Sequence, residues 1–354
     1  MRVDLRIDFT KYSVLALNFI NLIIFSYLYG EDALVSYVFY ISLCVVLNAI
    51  FDLGLNTLNC NMQLQDNVFY SFRKKLLIPA IFFLLLISIG IFFLFYKNIF
   101  IVLACFLQIL PGTYIMRFLS IKRRSKEILT SIFYGELLPA IFKLAIILLL
   151  YPLSNLILTL YAISLGSLFF SLYLSKNMKI EGLNVLSSKK NINFVDFNLS
   201  GYSLSVFFSI KNQIFGIFLP ALANDAQRNL FAVLSRINTL IISLFSPLVA
   251  RIPLFINKNT VDIRFYVFIS LLIIFSLCIG YFFWKEIINL FSIIFSSGNL
   301  ILDSWAFSLF MIMLLNIAVI FISQLLIFKG KINFSFSIEA IYFTTLLYLI
   351  IYNF

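Results

Sequence analysis

The chain has 354 residues, of which 62% are apolar and only 12% are charged, and its mean hydropathy is +1.05. This composition excludes a sizeable soluble domain and is typical of a polytopic membrane protein. The absence of histidine excludes imidazole metal ligands and mechanisms that depend on a histidine base. The four cysteines lie in or near separate apolar runs without paired spacing, so we expect no disulfide framework, no metal site and no cofactor.

Apolar runs of about 20 residues, the length that crosses a bilayer as a helix, recur along the chain. They predict an all-α polytopic fold with eleven spans, at 11–29, 33–56, 76–96, 98–117, 129–151, 153–175, 198–221, 229–250, 264–284, 303–328 and 333–353. The stretch 287–301 is apolar but short, and an interfacial position outside the spans is one interpretation of it. The charged N-terminal segment has no small-residue cleavage site after its apolar run, so no removed signal peptide is expected.

Lysine and arginine are distributed unequally between the two sides of this predicted topology. The basic clusters of one side contain Arg2, Arg6, Lys11, Arg73, Lys74, Lys75, Arg117, Lys122, Arg123, Arg124, Lys126, Lys176, Lys179, Lys189, Lys190, Arg251, Lys258, Arg264, Lys329 and Lys331. The opposite side carries Lys97, Arg228 and Lys285, beside the acids Glu31, Asp32, Asp225, Glu286 and Asp303. Since basic loops face the cytoplasm, this pattern predicts a cytoplasmic N-terminus and, with eleven spans, a periplasmic C-terminus. The net charge of +11 is then explained by basic loops that face the anionic lipids of the cytoplasmic leaflet, and no nucleic-acid partner is predicted.

The longest polar interruption, residues 176–197, divides the predicted spans into six and five. It predicts an N-terminal six-helix bundle at 1–178, a cytoplasmic linker at 179–197 and a C-terminal five-helix bundle at 198–354. An even number of spans returns the chain to the cytoplasm, so both bundles begin in the same orientation. Transporters built from parallel repeats have this arrangement.

Three segments carry a family resemblance. They are YLYGEDALVSYVFYISLCVVLNAIFDLGLNT (27–57), LANDAQRNLFAVLSRINTLIISLFSPLVARIPLF (222–255) and SSGNLILDSWAFSLFMIML (296–314). In content and order, these segments resemble the first hairpin, the hairpin that opens the second half and the ninth-to-tenth connection of Wzx-type polysaccharide flippases. The resemblance implies the multidrug/oligosaccharidyl-lipid/polysaccharide exporter architecture, with two bundles around a central cavity in the bacterial inner membrane. It also implies a substrate, an oligosaccharide linked to undecaprenyl diphosphate.

Three cations lie inside predicted spans, where an unpaired charge costs at least a few kcal/mol. They are Lys143, Lys211 and Arg236. They indicate a membrane cavity that holds an anion, which the resemblance identifies as the diphosphate. The planar fork of Arg236 suits bidentate contact with a diphosphate, whereas snorkelling towards the interface is its alternative. For Lys143 the alternative is a structural ion pair with Glu136, two helical turns earlier on almost the same face.

Two carboxylates of the first half are candidates for coupling transport to a proton or sodium gradient. Asp52 lies about a turn from the inner end of span 33–56, and Glu136 lies in span 129–151 just before Pro139, which predicts a kink. A carboxylate at membrane depth binds a proton more readily, because the low dielectric disfavours its charged form. A helix cap or a helix–helix hydrogen bond is the structural alternative for Asp52. Glu339, which enters span 333–353, is a weaker candidate.

The function that these features favour is transport by alternating access, without covalent chemistry. The expected partners are the lipid-linked oligosaccharide, membrane lipids, a proton or sodium ion, and other membrane proteins of polysaccharide assembly. The alternative is an integral-membrane polysaccharide polymerase or ligase that uses the same substrate. Such an enzyme requires a sizeable outer loop with polar residues, and the predicted outer connections are short. A carrier for another substrate, such as a drug or an ion, also stays open.

The charge pattern makes the loops 117–127 and 176–197 cytoplasmic and places Ala223 outside. On a background without native cysteines, a membrane-impermeant thiol reagent applied to intact cells should label Ala223→Cys and spare Ser187→Cys. The reverse labelling would overturn the predicted orientation and the direction of transport.

Overall fold

The computed structural model describes residues 5–52, 100–108, 128–177, 199–219, 222, 224–257, 260–261, 263–295, 300, 302–328 and 331–351. Within these residues the chain is helical, apart from one pair of two-residue strands and short connections. The predicted span 76–96, most of span 98–117 and both labelling positions, Ser187 and Ala223, lie outside the described residues.

The described elements follow in chain order. They are α1 (Leu5–Tyr29), α2 (Glu31–Asp52), α3 (100–108), α4 (Ile128–Ile132), a π-helical turn (Phe133–Leu137), α5 (Leu138–Leu150), a 3-10 turn (Tyr151–Leu153), α6 (Leu156–Asn177), α7 (Leu199–Phe218), α8 (Asp225–Phe255), β1 (Ile256–Asn257), β2 (Thr260–Val261), α9 (Ile263–Ile294), α10 (Ser304–Phe328) and α11 (Ile332–Ile351). Strands β1 and β2 pair in antiparallel orientation, with Ile256 opposite Val261.

Seven segments among the described helices are long and apolar enough to cross a membrane. They are Phe9–Tyr29, Asp32–Ile50, Phe133–Leu153, Asp225–Phe245, Ser270–Ile294, Ser304–Ser323 and Asn333–Ile351. Predicted spans 153–175 and 198–221 coincide with α6 and α7, whose apolar stretches, Leu156–Ser171 and Val206–Phe218, are shorter. The described chain is thus that of an all-α polytopic membrane protein. The full count of eleven spans stays a prediction.

Helix α9 differs from the predicted span 264–284, because it continues to Ile294. The charged pair Lys285 and Glu286 does not end it, and instead the backbone bends two residues earlier, at Phe283 (φ −118°, ψ 19°). Beyond the bend, Ile288 is buried while Ile293 is exposed, so an apolar helix with one packed face follows the bend. Residues 287–294 therefore extend this helix and are not a separate segment.

The structure divides into two compact units. Unit 1 contains residues 1–17 and 40–206, and unit 2 contains residues 18–39 and 207–354. Residues 18–39, in the hairpin of α1 and α2, group with the C-terminal unit, and residues 198–206 group with unit 1. The bundles at 1–178 and 198–354 stay a prediction. Hydropathy alone does not reveal this grouping, because it depends on which side chains the hairpin packs against.

In unit 1, a buried hydrogen-bond network links α2, α3 and α6. The Ser164 hydroxyl donates to the Ala104 carbonyl (2.9 Å). Because its single proton is used in that bond, the Tyr40 hydroxyl, 2.6 Å away, donates to the Ser164 oxygen. The Cys105 thiol donates to the Tyr40 carbonyl (3.5 Å). Since lipid offers no hydrogen bonds, polar side chains of this kind bind membrane helices to one another.

Pro139 lies in the first turn of α5, directly after the π-helical turn. Its ring and missing N–H are incompatible with a regular helical turn before it, so the predicted distortion takes the form of a widened turn at 133–137 rather than a simple kink.

In unit 2, α10 is the central helix and packs against α8, α9 and α11. Its inward face belongs to an apolar core that includes Phe310, Met313 and Phe321, all at most 1% exposed. Outward side chains of the unit, such as Phe275 and Phe282, are apolar and exposed, as helices that face lipid require. Polar side chains inside this core therefore stand out, and they define the candidate site.

Candidate functional site

Lys211 on α7 and Glu339 on α11 form a buried ion pair in unit 2. The Lys211 Nζ lies 2.5 Å from Glu339 Oε2, and each side chain is 1% exposed. The rings of Phe208 and Tyr342 lie 4.7 Å and 5.3 Å from the same Nζ, so the ammonium also contacts aromatic faces. The charge of Lys211 is therefore matched inside the protein.

Three asparagines from three helices form a second part of this polar group. The Asn238 side-chain amide on α8 donates to the Asn212 carbonyl (2.8 Å), and the Asn316 amide on α10 donates to Asn212 Oδ1 (3.1 Å). All three side chains are at most 8% exposed. We call Lys211, Asn212, Asn238, Asn316 and Glu339 the amide–lysine cluster. It connects α7, α8, α10 and α11 through polar contacts in an otherwise apolar core.

The local helix geometry explains how the cluster assembles. Glu339 and Tyr342 are three residues apart on α11 and so share a face. The Tyr342 hydroxyl donates to the carbonyl of Ile312 (2.9 Å), which is one turn before Asn316 on α10. Adjacent residues on a helix point about 100° apart. Lys211 and Asn212 therefore bind different neighbours, one on α11 and the other on α8 and α10.

The buried side chain of Arg236 on α8 lies near an aromatic ring. Only 4% of it is exposed, and its guanidinium carbon lies 5.8 Å from the centre of the Phe295 ring. Within the described part of the chain, its Nε and Nη2 atoms have no hydrogen-bond partner, and no carboxylate forms an ion pair with it. A buried charge with unpaired donors costs several kcal/mol, so this arrangement requires a compensating group.

Arg236 lies in an aromatic environment that belongs entirely to unit 2. The ring of Phe19 packs edge-on against Phe295 (5.5 Å between centroids), and the Ser26 hydroxyl of the same helix donates to the Phe295 carbonyl. The Tyr37 side chain on α2 also lies within electrostatic range of the guanidinium. We call Arg236, Tyr37, Phe19 and Phe295 the arginine–aromatic cluster. These side chains include three rings and no carboxylate.

The arginine–aromatic cluster and the amide–lysine cluster lie on different sides of α8. Arg236 and Asn238 are two residues apart, which corresponds to about 200° around a helix. Because Asn238 contacts Asn212, the Arg236 side chain points away from the cluster. The structure therefore brings Lys211 together with Glu339, and does not bring Lys211 together with Arg236.

The other predicted site residues lie in unit 1. Lys143 is half-buried on α5, Glu136 lies in the π-helical turn, and both make interactions within the structure. Asp52 is the last residue of α2, and its side chain lies outside the described residues. The assignments of Lys143 to the substrate and of Asp52 and Glu136 to coupling stay predictions.

Glu339, the weaker candidate in the sequence, is the counter-ion of Lys211 in the structure. It is the one acid in the 20 residues of α11, and an isolated acid in such a helix requires a cationic partner. Glu339 shares its position inside a predicted span with Asp52 and Glu136, so the sequence offers three carboxylates that could compensate Lys211. The partnership itself depends on α7 and α11 being neighbours, which neither span reveals.

Removing one member of the Lys211–Glu339 pair should destabilise the protein more than removing both. Lys211→Met or Glu339→Gln leaves a buried charge alone, which costs roughly 3–5 kcal/mol, whereas replacing both by apolar residues is close to neutral. Thermal unfolding in detergent should therefore show a large loss for each single variant and recovery for Lys211→Met/Glu339→Met.

The exposed pair Asp225 and Arg228 (3.0 Å) at the start of α8 supplies the control, and Asp225→Asn should change the unfolding temperature little. A double variant that is no more stable than either single variant would show that the pair does not act as a unit.

Comparison with protein-family models, curated proteins and solved structures gives no significant match. The likeness to polysaccharide flippases rests on the three sequence segments described above.

Proposed function

We propose that the chain is a flippase of the multidrug/oligosaccharidyl-lipid/polysaccharide exporter type. It moves an oligosaccharide linked to undecaprenyl diphosphate across the bacterial inner membrane by alternating access. The seven apolar helices support a multi-pass membrane protein, and the sequence resemblance supplies the substrate class. The function needs an anion contact within the membrane, and Arg236 is the proposed contact.

The single observation that carries the proposal is the unpaired guanidinium of Arg236. Its Nε and Nη2 donors are buried and have no hydrogen-bond partner among the described residues. Two donors on one planar group match two oxygens of a phosphate, and charge-assisted bonds of this kind are about twice as strong as neutral ones. The bound diphosphate would supply the negative charge that the arginine–aromatic cluster lacks.

Lys143 and Lys211 are secondary candidates in this proposal. Lys211 has Glu339 as its counter-charge, so it is available to a substrate only if that pair separates during transport. Lys143 already makes an interaction with another part of the protein. The anion contact therefore rests first on Arg236.

The transport cycle that fits this assignment needs no bond to be made or broken. The diphosphate binds to cationic side chains, the sugars occupy water-filled space, and the polyprenyl chain stays in lipid. Asp52 and Glu136 are the proposed coupling residues for a proton or sodium gradient. The sequence contains no Gly-x-x-x-x-Gly-Lys loop, so nucleotide hydrolysis by this chain is not part of the proposal.

Loss of the guanidinium should abolish transport without preventing insertion. Arg236→Gln removes the charge and Arg236→Lys keeps it but loses the planar fork, so export of surface polysaccharide should disappear in the first and fall in the second. Export is measured in cells that lack their own copy of the protein, at matched membrane levels of each variant.

Arg228→Gln is the matched control, since Arg228 lies on the same helix, is only half-buried and is paired with the exposed Asp225. It should export normally. Full export by Arg236→Gln at native expression would overturn the assignment of Arg236 to the substrate.

A further inference from the structure

A cavity of about 450 Å³ lies where the bend of α9 meets the beginning of α10. Three aromatic rings form its wall. Tyr281 and Trp284 on α9 lie 5.9 Å and 5.4 Å, respectively, from the ring of Phe307 on α10. The backbone bend at Phe283 separates Tyr281 from Trp284 and so shapes this opening. All of these residues belong to unit 2.

The cavity also carries one positive and one negative charge. Lys285 lies on its α9 side, with Nζ 5.4 Å from the Trp284 ring, and Asp303 lies at the start of α10. Asp303 Oδ1 accepts the backbone N–H of Ala306 (2.9 Å), which caps α10 and fixes the carboxylate. Lys285 and Asp303 form no ion pair with each other or with any other described residue. The two opposite charges are thus held apart across an aromatic wall.

The surroundings of the cavity are those of a membrane interface. Tyr281 is 59% exposed and Phe282 is 71% exposed, so apolar rings continue outward from the opening. Tryptophan, tyrosine and lysine are the side chains that concentrate at the level of lipid headgroups. Glu286 follows Lys285 on α9 but does not line the cavity. The charge pattern of the loops places this end of the helices on the predicted outer side.

We propose that this cavity binds the headgroup of an aminophospholipid, a lipid with a phosphate and a primary ammonium. The phosphate contacts Lys285, and the ammonium contacts Asp303 and the aromatic faces, which attract cations. The acyl chains lie along the exposed rings outside the cavity. A single anionic or cationic headgroup would leave one of the two charges unmatched. This site shares no residue with the arginine–aromatic cluster and does not depend on the proposed transport function.

The test is the retention of lipid by the purified full-length protein, measured by native mass spectrometry. The protein is exposed to equal amounts of phosphatidylethanolamine, phosphatidylglycerol and phosphatidylcholine. The first lipid alone combines a phosphate with an N–H-bearing ammonium, so it should be retained about tenfold better than the others, as expected for one charge-assisted hydrogen bond.

Two variants test separately the contact of Lys285 with the phosphate and the contact of Asp303 with the ammonium. Lys285→Gln should lower retention of both phosphatidylethanolamine and phosphatidylglycerol. Asp303→Asn keeps the helix cap, since asparagine caps as well as aspartate, but should remove the preference for phosphatidylethanolamine over phosphatidylglycerol. Arg228→Gln and Asp225→Asn, at another exposed helix end, should behave like the wild type.

Equal retention of the three lipids by the wild-type protein would overturn the proposal, and this arm does not depend on recovering any variant. Unchanged selectivity in both cavity variants would also overturn it. Retention of a soluble oligosaccharide, lost in Asp303→Asn while lipid retention is unaffected, would identify a sugar site and contradict a lipid headgroup.

Discussion

The cost of a charge away from water is the constraint on which the interior of unit 2 depends. A core of apolar helices supplies few partners for an ion, so each buried cation must be matched by the protein or by something that the protein binds. Lys211 is matched by Glu339 at 2.5 Å. For Arg236 the described residues supply only aromatic rings and a tyrosine. Lys211 therefore has its counter-charge within the protein, whereas Arg236 has no carboxylate partner among the described residues.

The amide–lysine cluster has a structural consequence beyond charge neutrality. Hydrogen bonds between side chains determine which helix faces meet. Apolar side chains determine this poorly, because another helix and the lipid tails are similarly apolar. Asn212 receives one hydrogen bond from α8 and one from α10, and Lys211 reaches α11. The cluster thereby fixes the mutual orientation of four helices of unit 2 and keeps Arg236 on the opposite side of α8.

Much of the fold could be predicted from the sequence, because length and hydropathy determine membrane helices directly. The segments Phe9–Tyr29 and Ser304–Ser323 lie within or close to predicted spans. The limits of prediction are also physical. Lys285 and Glu286 indicated the end of a span, yet the helix bends at Phe283 and continues, because the apolar residues after the charges pack one face against the core.

The candidate site was predictable only as a set of residue types. The sequence identified Lys211 and Arg236 as costly cations, but a shared cavity was one of several arrangements consistent with their positions. Pairing of Lys211 with Glu339 depends on helix neighbours that are far apart in the chain. The position of Arg236 relative to Lys211 depends on the angle between successive residues of α8 and on the contact of Asn238 with Asn212, which the sequence does not reveal.

We propose that the Nε and Nη2 donors of Arg236, which have no hydrogen-bond partner among the described residues, bind a phosphate group of the substrate. The most direct measurement is binding of a polyprenyl diphosphate to the purified protein, compared with the matching polyprenol that lacks phosphate. The wild type and Arg228→Gln should bind the diphosphate much more tightly than the alcohol, and Arg236→Gln should bind the two alike. Undiminished preference for the diphosphate in a folded Arg236→Gln protein would contradict the account.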